Sequence, residues 1–280
     1  MPYAQAGKAR IYFETRGAPD GAPALFIEGF GVQMIGWRER FLRKFVDRGV
    51  HVAVFDNRDV GLSQKFGGAH DFDGGYALED MADDAFGVMD ALEWDSAHVV
   101  GQSMGGMIAQ LMAVRRPERV RSLCLFYAAP GLGPYRKPRP KSAGPAELFA
   151  YRSRGEAIEA FVERERVSQS AAYRFDEAWV REWASRSFER AYAPDGVARQ
   201  AAALGRIPDR MSGVDGLKQP AIVIHGRDDR HLDVAAAFDL GRVLANSEVH
   251  VYPGMGHELV EPLWDEWATM IRRTMARADL

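Results

Sequence analysis

The chain has a single cysteine and little net charge. Cys124 lies in an apolar run, where we expect a buried structural thiol, and one cysteine excludes an internal disulfide. The 36 basic and 39 acidic residues give a formal net charge of −3, and the basic residues are scattered along the chain. This balance supplies no positive field for phosphate groups, so we expect no nucleic-acid partner.

Long apolar runs are also absent. No segment approaches the roughly 18 apolar residues that a membrane span requires. Residues 1–8 lack the apolar stretch of a signal peptide. We therefore expect a soluble, cytoplasmic protein that has no membrane partner.

Short β-type runs alternate with helical segments along most of the chain. The runs cover residues 24–27, 50–55, 97–100, 120–126, 221–224 and 248–252. Between two of them, Leu78, Met81, Ala85 and Leu92 recur at helical spacing, which predicts a helix that covers the sheet. Alternation of this kind predicts an α/β fold with a mostly parallel sheet that is covered by helices on both faces.

The alternation stops after Pro130. Residues 131–140 contain three prolines and cannot continue a helix or a central strand, so we interpret them as a linker. From about residue 146 to residue 203 the pattern is helical, with many arginines and aromatics and no strand. We predict that residues 131–212 form a helical cap with its linkers, and that residues 1–130 and 213–280 form the α/β core.

The segment with the clearest chemical meaning is Gly-Gln-Ser-Met-Gly at residues 101–105. It follows the β-type run 97–100 and precedes a helical stretch. A serine between a strand and a helix lies on a strained turn that exposes its hydroxyl, and flanking glycines are required because larger side chains would collide there. Ser103 is therefore the predicted nucleophile.

A serine nucleophile needs a base, and the base needs an acid that orients it. His257 lies in a glycine-rich loop directly after the last β-type run, at the end of the sheet where catalytic groups gather in α/β folds. The loop after residue 224 offers Asp229 as our first choice of acid, with Asp228 as its closest rival and Asp233 as a distant third. The order serine, acid, histidine fits this kind of fold.

The negative oxygen that forms on an attacked carbonyl needs hydrogen-bond donors. The backbone amide of Met104, directly after the nucleophile, is one candidate. The loop at residues 28–33 follows an early strand, and its glycines let the main chain approach a ligand closely. We expect the amide of Phe30 in this loop to be the second donor.

Five segments, in this order, resemble the α/β-hydrolase superfamily over nearly the whole chain: residues 26–31, 55–63, 101–105, 224–229 and 254–257. The stretch Asp-Asn-Arg-Asp-Val-Gly-Leu-Ser and the stretch Gly-Met-Gly-His are most similar to serine esterases that include anthracycline-type polyketide methylesterases and macrolide esterases. The resemblance implies an α/β-hydrolase fold with a helical lid after the sixth strand. It also favours Asp229, the third residue after Gly226.

One residue departs from the pattern of the family that the chain resembles. Many members have a histidine immediately before the first glycine of the oxyanion loop, and here the residue is Glu28. A carboxylate beside a developing oxyanion would oppose it electrostatically. We therefore expect the side chain of Glu28 to point away and to bind a backbone amide or Arg58.

The function that follows is hydrolysis of a carboxylic ester or lactone through an acyl-enzyme, with no metal and no organic cofactor. The resemblance implies a bulky apolar or polyketide-type substrate. Trp179 and Trp183 share one helical face with Phe175 and are candidate substrate contacts, although such a stripe also packs lid helices together. Trp37 either lines the same cavity or anchors the next helix. Acyl transfer, carbon–carbon bond hydrolysis and perhydrolysis with the same triad are the alternatives, and a non-catalytic binder is a further one.

Overall fold

The structure is a computed structural model that describes residues 2–68, 70–138, 150–208 and 211–278. Its centre is an eight-stranded sheet. The strands are β1 (Tyr3–Ala6), β2 (Ala9–Arg16), β3 (Ala22–Ile27), β4 (Val50–Phe55), β5 (Ala97–Gln102), β6 (Val120–Phe126), β7 (Ala221–Gly226) and β8 (Ser247–Tyr252). Their spatial order is β1-β2-β4-β3-β5-β6-β7-β8. The pairs from β4 to β8 are parallel, which confirms the predicted α/β class.

The two N-terminal strands are not among the six predicted runs. β1 and β2 form an antiparallel hairpin, and β2 also pairs antiparallel with β4. β2 alternates between buried and more exposed residues and carries several charged side chains, because one of its faces meets solvent. The central strand β4 is buried along its whole length, and this gives the continuous apolar run that the sequence pattern detects.

Helices cover both faces of the sheet. The described helices are α1 (Glu39–Val46), α2 (Leu78–Ala91), α3 (Met104–Arg115), α4 (Arg154–Ser168), α5 (Glu177–Arg190), α6 (Pro194–Gly205), α7 (Ala235–Val243) and α8 (Trp264–Arg277). The apolar residues of α2, α3 and α7 join one buried cluster, and those of α1 and α8 join the cluster on the opposite face. None of the described helices is long and apolar enough to cross a membrane.

Three helices, α4, α5 and α6, follow one another between β6 and β7 and are called the cap helices here. They lie within residues 131–212, the range predicted to form a helical cap with its linkers. The start predicted near residue 146 falls outside the described residues, and the first described cap helix begins at Arg154 after a capping box formed by Ser153 and Glu156. Two ion pairs join these helices to the loop after β4, Arg190 with Asp56 and Arg199 with Asp59, and both aspartates are buried.

Candidate active site

Ser103 occupies a strained turn between β5 and α3. Its backbone has φ 53° and ψ −119°, a region that residues with a side chain rarely adopt. A Cβ atom on Gly101 would collide with the carbonyl oxygen of Gly105, and a Cβ atom on Gly105 would collide with that of Ile27. The two glycines therefore permit the close packing of strand, turn and helix that holds the serine in this conformation.

His257 and Asp229 are joined by a hydrogen bond. The Nδ1 atom of His257 lies 2.6 Å from Oδ2 of Asp229, which is fully buried. The other carboxylate oxygen, Oδ1, accepts the backbone amides of His231 at 2.7 Å and Leu232 at 3.0 Å. The loop after β7 thus holds one oxygen of the carboxylate and directs the other toward the imidazole.

The surroundings of Asp229 keep it ionised. Burial alone would favour the neutral acid, but the imidazoles of His257 and His225 outweigh burial and hold the pKa of this carboxyl well below its usual range. The Nε2 atom of His225 lies 3.3 Å from Oδ2. Because an ionised carboxylate only accepts hydrogen bonds, Nδ1 of His257 donates to it.

The two rival aspartates have other partners. Oδ2 of Asp228 accepts the amide of Gly254 at 3.0 Å, and Oδ1 of Asp233 accepts the amide of Ala235 at 3.0 Å. Both bonds stabilise local turns. Among the described residues, Asp229 is the one of the three that bonds to His257.

The predicted oxyanion donors lie beside Ser103. Phe30, Met104 and Ser103 line one cavity. A Cβ atom on Gly29 would come within 3.4 Å of the Cβ of Ser103, so the loop after β3 passes close to the serine. Met104 is the first residue of α3, and its amide has no carbonyl one turn earlier in the helix to bond with. The loop that carries Phe30 and the first turn of α3 thus border the same cavity as Ser103.

Glu28 binds a backbone amide, as expected, and the alternative partner Arg58 binds elsewhere. Glu28 is 1% exposed, and its Oε2 accepts the amide of Gly29 at 3.1 Å and the side-chain amide of Gln102. Arg58 instead binds Asp84 at 2.6 and 2.8 Å. Burial raises the pKa of Glu28 to about 8, which favours the neutral acid near neutral pH and weakens the expected repulsion.

Several neighbours of His257 were not found by sequence reasoning. The ring of Tyr127 packs 4.4 Å from the imidazole and the ring of His231 packs 4.9 Å from it, measured between ring centroids. The C-terminal end of α4 also supports the loop, because the main-chain carbonyl of Ser168 accepts the amide of His257 at 2.9 Å and the hydroxyl of Ser170 accepts that of Gly256 at 2.8 Å. Tyr127 directly follows β6 at the same sheet edge, which is a usable signal. The serines carry no sequence signal.

A cavity of about 2020 Å³ lies between the carboxyl edge of the sheet and the cap helices. Trp179 and Trp183 of α5 line it and are stacked, with ring centroids 4.7 Å apart, and the guanidinium of Arg38 lies 3.7 Å over the ring of Trp179. The predicted substrate contact of Trp37 is not supported. Trp37 is 3% exposed, packs against Phe26 and Phe41 in the core, and is not among the described residues that line the cavity.

Ser103 lies on a strained turn between a strand and a helix, and a histidine and an aspartate lie at the same edge of the sheet. These features, in a sheet of this strand order, define an α/β hydrolase. The family model described as alpha/beta hydrolase fold matches residues 23–262, and the chain belongs to that family.

Particular relatives include hydrolases with different substrates. The chain is 29% identical over 266 residues to a 2-hydroxymuconate semialdehyde hydrolase of Pseudomonas sp. (strain CF600), which covers 92% of this chain and 88% of the relative. It is 36% identical over 117 residues to rhodomycin D methylesterase DauP of Streptomyces sp. (strain C5), which covers 41% of this chain and 38% of the relative. The crystal structure of an enol-lactonase from Burkholderia xenovorans LB400 superposes with a TM-score of 0.78 at 20% identity, over 98% of this chain and 100% of the other, and shares the fold.

Proposed function

We propose that this protein is a serine hydrolase that cleaves a carboxylic ester or lactone through an acyl-enzyme. Ser103 is the nucleophile, His257 the base, and Asp229 the acid that orients it. The observation that carries the proposal is the 2.6 Å bond between His257 and Asp229 at the edge of a cavity that Ser103 also lines.

The proposed reaction has two stages that use the same groups. In the first, Oγ of Ser103 attacks the ester carbonyl carbon while Nε2 of His257 takes the hydroxyl proton, and the amides of Phe30 and Met104 bind the oxyanion. The bond to the alcohol then breaks, and the alcohol leaves with the proton from His257. In the second stage a water molecule gives a proton to His257 and attacks the acyl-enzyme; His257 then returns the proton to Oγ of Ser103 as the bond to the acyl group breaks and the acid leaves.

The proposed substrate is bulky and apolar, of the polyketide type. The cavity of about 2020 Å³ exceeds the roughly 300–1000 Å³ of common small-molecule sites, and the stacked rings of Trp179 and Trp183 provide a flat apolar wall. The identity to a rhodomycin D methylesterase supports the same substrate class. In this proposal residues 131–212 form a cap that shapes the cavity over the core built from residues 1–130 and 213–280.

A hydrolase of carbon–carbon bonds is the second candidate. The match to a 2-hydroxymuconate semialdehyde hydrolase over most of the chain favours it. The two candidates differ in the products, because an ester gives an acid and an alcohol, whereas hydrolysis of a carbon–carbon bond gives an acid and a fragment that has a new carbon–hydrogen bond. Acyl transfer and perhydrolysis use the same triad and are recognised by products formed with added alcohol or peroxide.

The test is labelling with a fluorophosphonate followed by a hydrolysis screen. We expect the probe to modify Ser103 and to leave Ser103→Ala unlabelled. We expect Ser103→Ala to lose turnover by a factor on the order of 10⁶. The screen contains p-nitrophenyl esters of several chain lengths, methyl esters of polyketides, macrolide lactones and a carbon–carbon substrate. Near-normal ester turnover by the serine variant would contradict the proposal.

A further inference from the structure

Glu28 is a buried acid in the loop that carries Phe30. It directly follows β3, lines the cavity and is 1% exposed. Its main-chain oxygen accepts the side-chain amide of Asn57 at 3.1 Å, which holds the residue in place. Nothing in the proposed reaction uses its carboxyl group.

The hydrogen bonds of the carboxyl group locate its proton. Oε2 accepts two N–H donors, the amide of Gly29 at 3.1 Å and the side chain of Gln102, whose own oxygen accepts the hydroxyl of Tyr127. Oε1 is buried and has no hydrogen-bond partner among the described residues. A buried anionic oxygen without a partner is much more costly than a buried hydroxyl, so the proton belongs on Oε1.

The charges around Glu28 favour the same state. Glu165 of α4 and Asp56 after β4 are the acidic groups that face it, and both raise its pKa in addition to burial, which is the largest cause. Glu165 is paired with Arg164 at 3.0 Å, and Asp56 is paired with Arg190 at 2.6 Å. Arg164 and Arg190 therefore pair with these two acidic groups and not with Glu28.

The remaining titratable neighbour lies behind Gln102. Tyr127 has a buried hydroxyl, and burial raises its pKa well above the usual range. Its ring also packs against His257. A neutral phenol, an amide and a neutral acid thus form one hydrogen-bonded row from the histidine to the oxyanion loop.

We propose that Glu28 is a positioning residue that works as a neutral carboxylic acid. It joins the loop that carries Phe30 to Gln102, the residue before Ser103, and thereby fixes the two sides of the oxyanion site relative to each other. Loss of its proton places a negative charge next to the position where the oxyanion develops and stops turnover. This inference rests on the proposed serine hydrolase function.

The first test is the pH profile of kcat for an ester substrate. Because burial and the acidic neighbours raise the pKa of Glu28 to about 8, the wild-type kcat should fall above about pH 8, by about tenfold for each further pH unit. Glu28→Gln keeps the accepting oxygen and cannot ionise. We expect this variant to keep kcat at pH 7 within about threefold of wild type and to lose the alkaline fall.

Two further variants separate positioning from charge. Glu28→Leu removes the accepting oxygen, and we expect a lower kcat at every pH with little change in KM. Glu165→Gln removes an acidic neighbour, and we expect the alkaline fall to remain but to move to lower pH, because Glu28 then loses its proton more easily. An alkaline fall with an unchanged midpoint in Glu28→Gln, or a loss of more than about 100-fold at pH 7 in a folded Glu28→Gln, overturns the proposal.

A measurement without turnover covers the case in which Glu28→Gln does not fold. A ¹³C NMR titration of the Glu28 carboxyl in Ser103→Ala reports its protonation directly. Titration near pH 8 supports the proposal, and titration near the ordinary value of about 4 overturns it. If the fluorophosphonate fails to label Ser103, the proposed function fails, while the NMR result still decides the state of Glu28.

Discussion

The side-chain oxygen of Gln200 in α6 accepts the backbone amide of Gly31 at 2.8 Å, while its side-chain nitrogen donates to the carbonyl of Arg58 at 2.7 Å. Gln200 is fully buried. Gly31 directly follows Phe30, the proposed oxyanion donor. Helix α6 therefore holds the loop after β3, which is the proposed oxyanion loop.

Replacing Gln200 should impair catalysis through this loop. Gln200→Leu leaves the amide of Gly31 without its acceptor, and we expect kcat to fall by about 10- to 100-fold, because small displacements of catalytic groups are costly. Gln219→Leu is the matched control, since Gln219 bonds the main chain at Pro117 on the far side of the core. Equal kcat values for the two variants, measured on one p-nitrophenyl ester, would exclude this role.

The choice among the aspartates is testable by a matched pair. Asp229→Ala should lower kcat by about 10⁴, as loss of the orienting acid does in other serine hydrolases. Asp228→Asn keeps an oxygen that accepts the amide of Gly254, and we expect a loss below about tenfold. Steady-state kinetics with one ester decides the matter, and a larger loss in Asp228→Asn would point to the rival residue.

The aromatic wall should control substrate size. Trp179→Ala removes a ring that stacks on Trp183 and lies under Arg38. We expect kcat/KM for a polycyclic methyl ester to fall by about 10-fold or more, while that for p-nitrophenyl acetate changes little. Trp37→Phe alters a core ring and should lower Tm without changing the ratio between the two esters. The same ratio in both variants would argue against a substrate contact at Trp179.

The glycines of the serine turn should be indispensable. Gly101→Ala forces a methyl group against the carbonyl of Gly105, and we expect a loss of about 1–3 kcal/mol in the free energy of unfolding. Gly155 in α4 has no atom within 4 Å of a built Cβ. Gly155→Ala should therefore be neutral or stabilising by less than about 1 kcal/mol. Urea denaturation of both variants measures the difference between their free energies of unfolding. Equal values would mean that the turn has room for the methyl group.

The protonation state of Glu28 should also affect how the free energy of unfolding depends on pH. Its pKa is about 8 in the folded protein against an ordinary 4.5, so between these values the folded chain keeps a proton that the unfolded chain has released. The free energy of unfolding then falls as pH rises through this window. Glu28→Gln cannot ionise, so this fall in the free energy of unfolding is absent from the variant. In urea titrations, the free energy of unfolding of the variant relative to wild type should increase from pH 5 to pH 8. A constant difference would mean that Glu28 is ionised throughout.

Sequence patterns predicted the fold well because they are local. The buried parallel strands are continuous apolar runs, the helix α2 has its helical spacing, and the family match confirms the α/β-hydrolase assignment. The hairpin of β1 and β2 was missed because strands that meet solvent contain charged residues. Asp84 of α2 is 1% exposed and pairs with Arg58, a partner that helical spacing does not reveal.

The proposed site also contains residues that local sequence patterns predict and residues that they do not distinguish. Ser103 and His257 follow strand ends with flanking glycines, and both signals are visible within a few residues of sequence. Trp37 and Trp179 are equally aromatic, yet one is in the core and the other lines the cavity. Residue type alone does not distinguish them, because the difference lies in which helix packs over which edge of the sheet.

By itself, the sequence determined the α/β class, the turn at Ser103 and the loop of His257, since backbone sterics and the periodicity of apolar residues act over short distances along the chain. Tertiary structure alone decided that Oδ2 of Asp229 meets the imidazole, that Gln200 holds a loop 169 residues away, and that burial raises the pKa of Glu28. These features depend on packing between distant segments and on the removal of water from a buried carboxyl group. A local sequence pattern predicts neither of them.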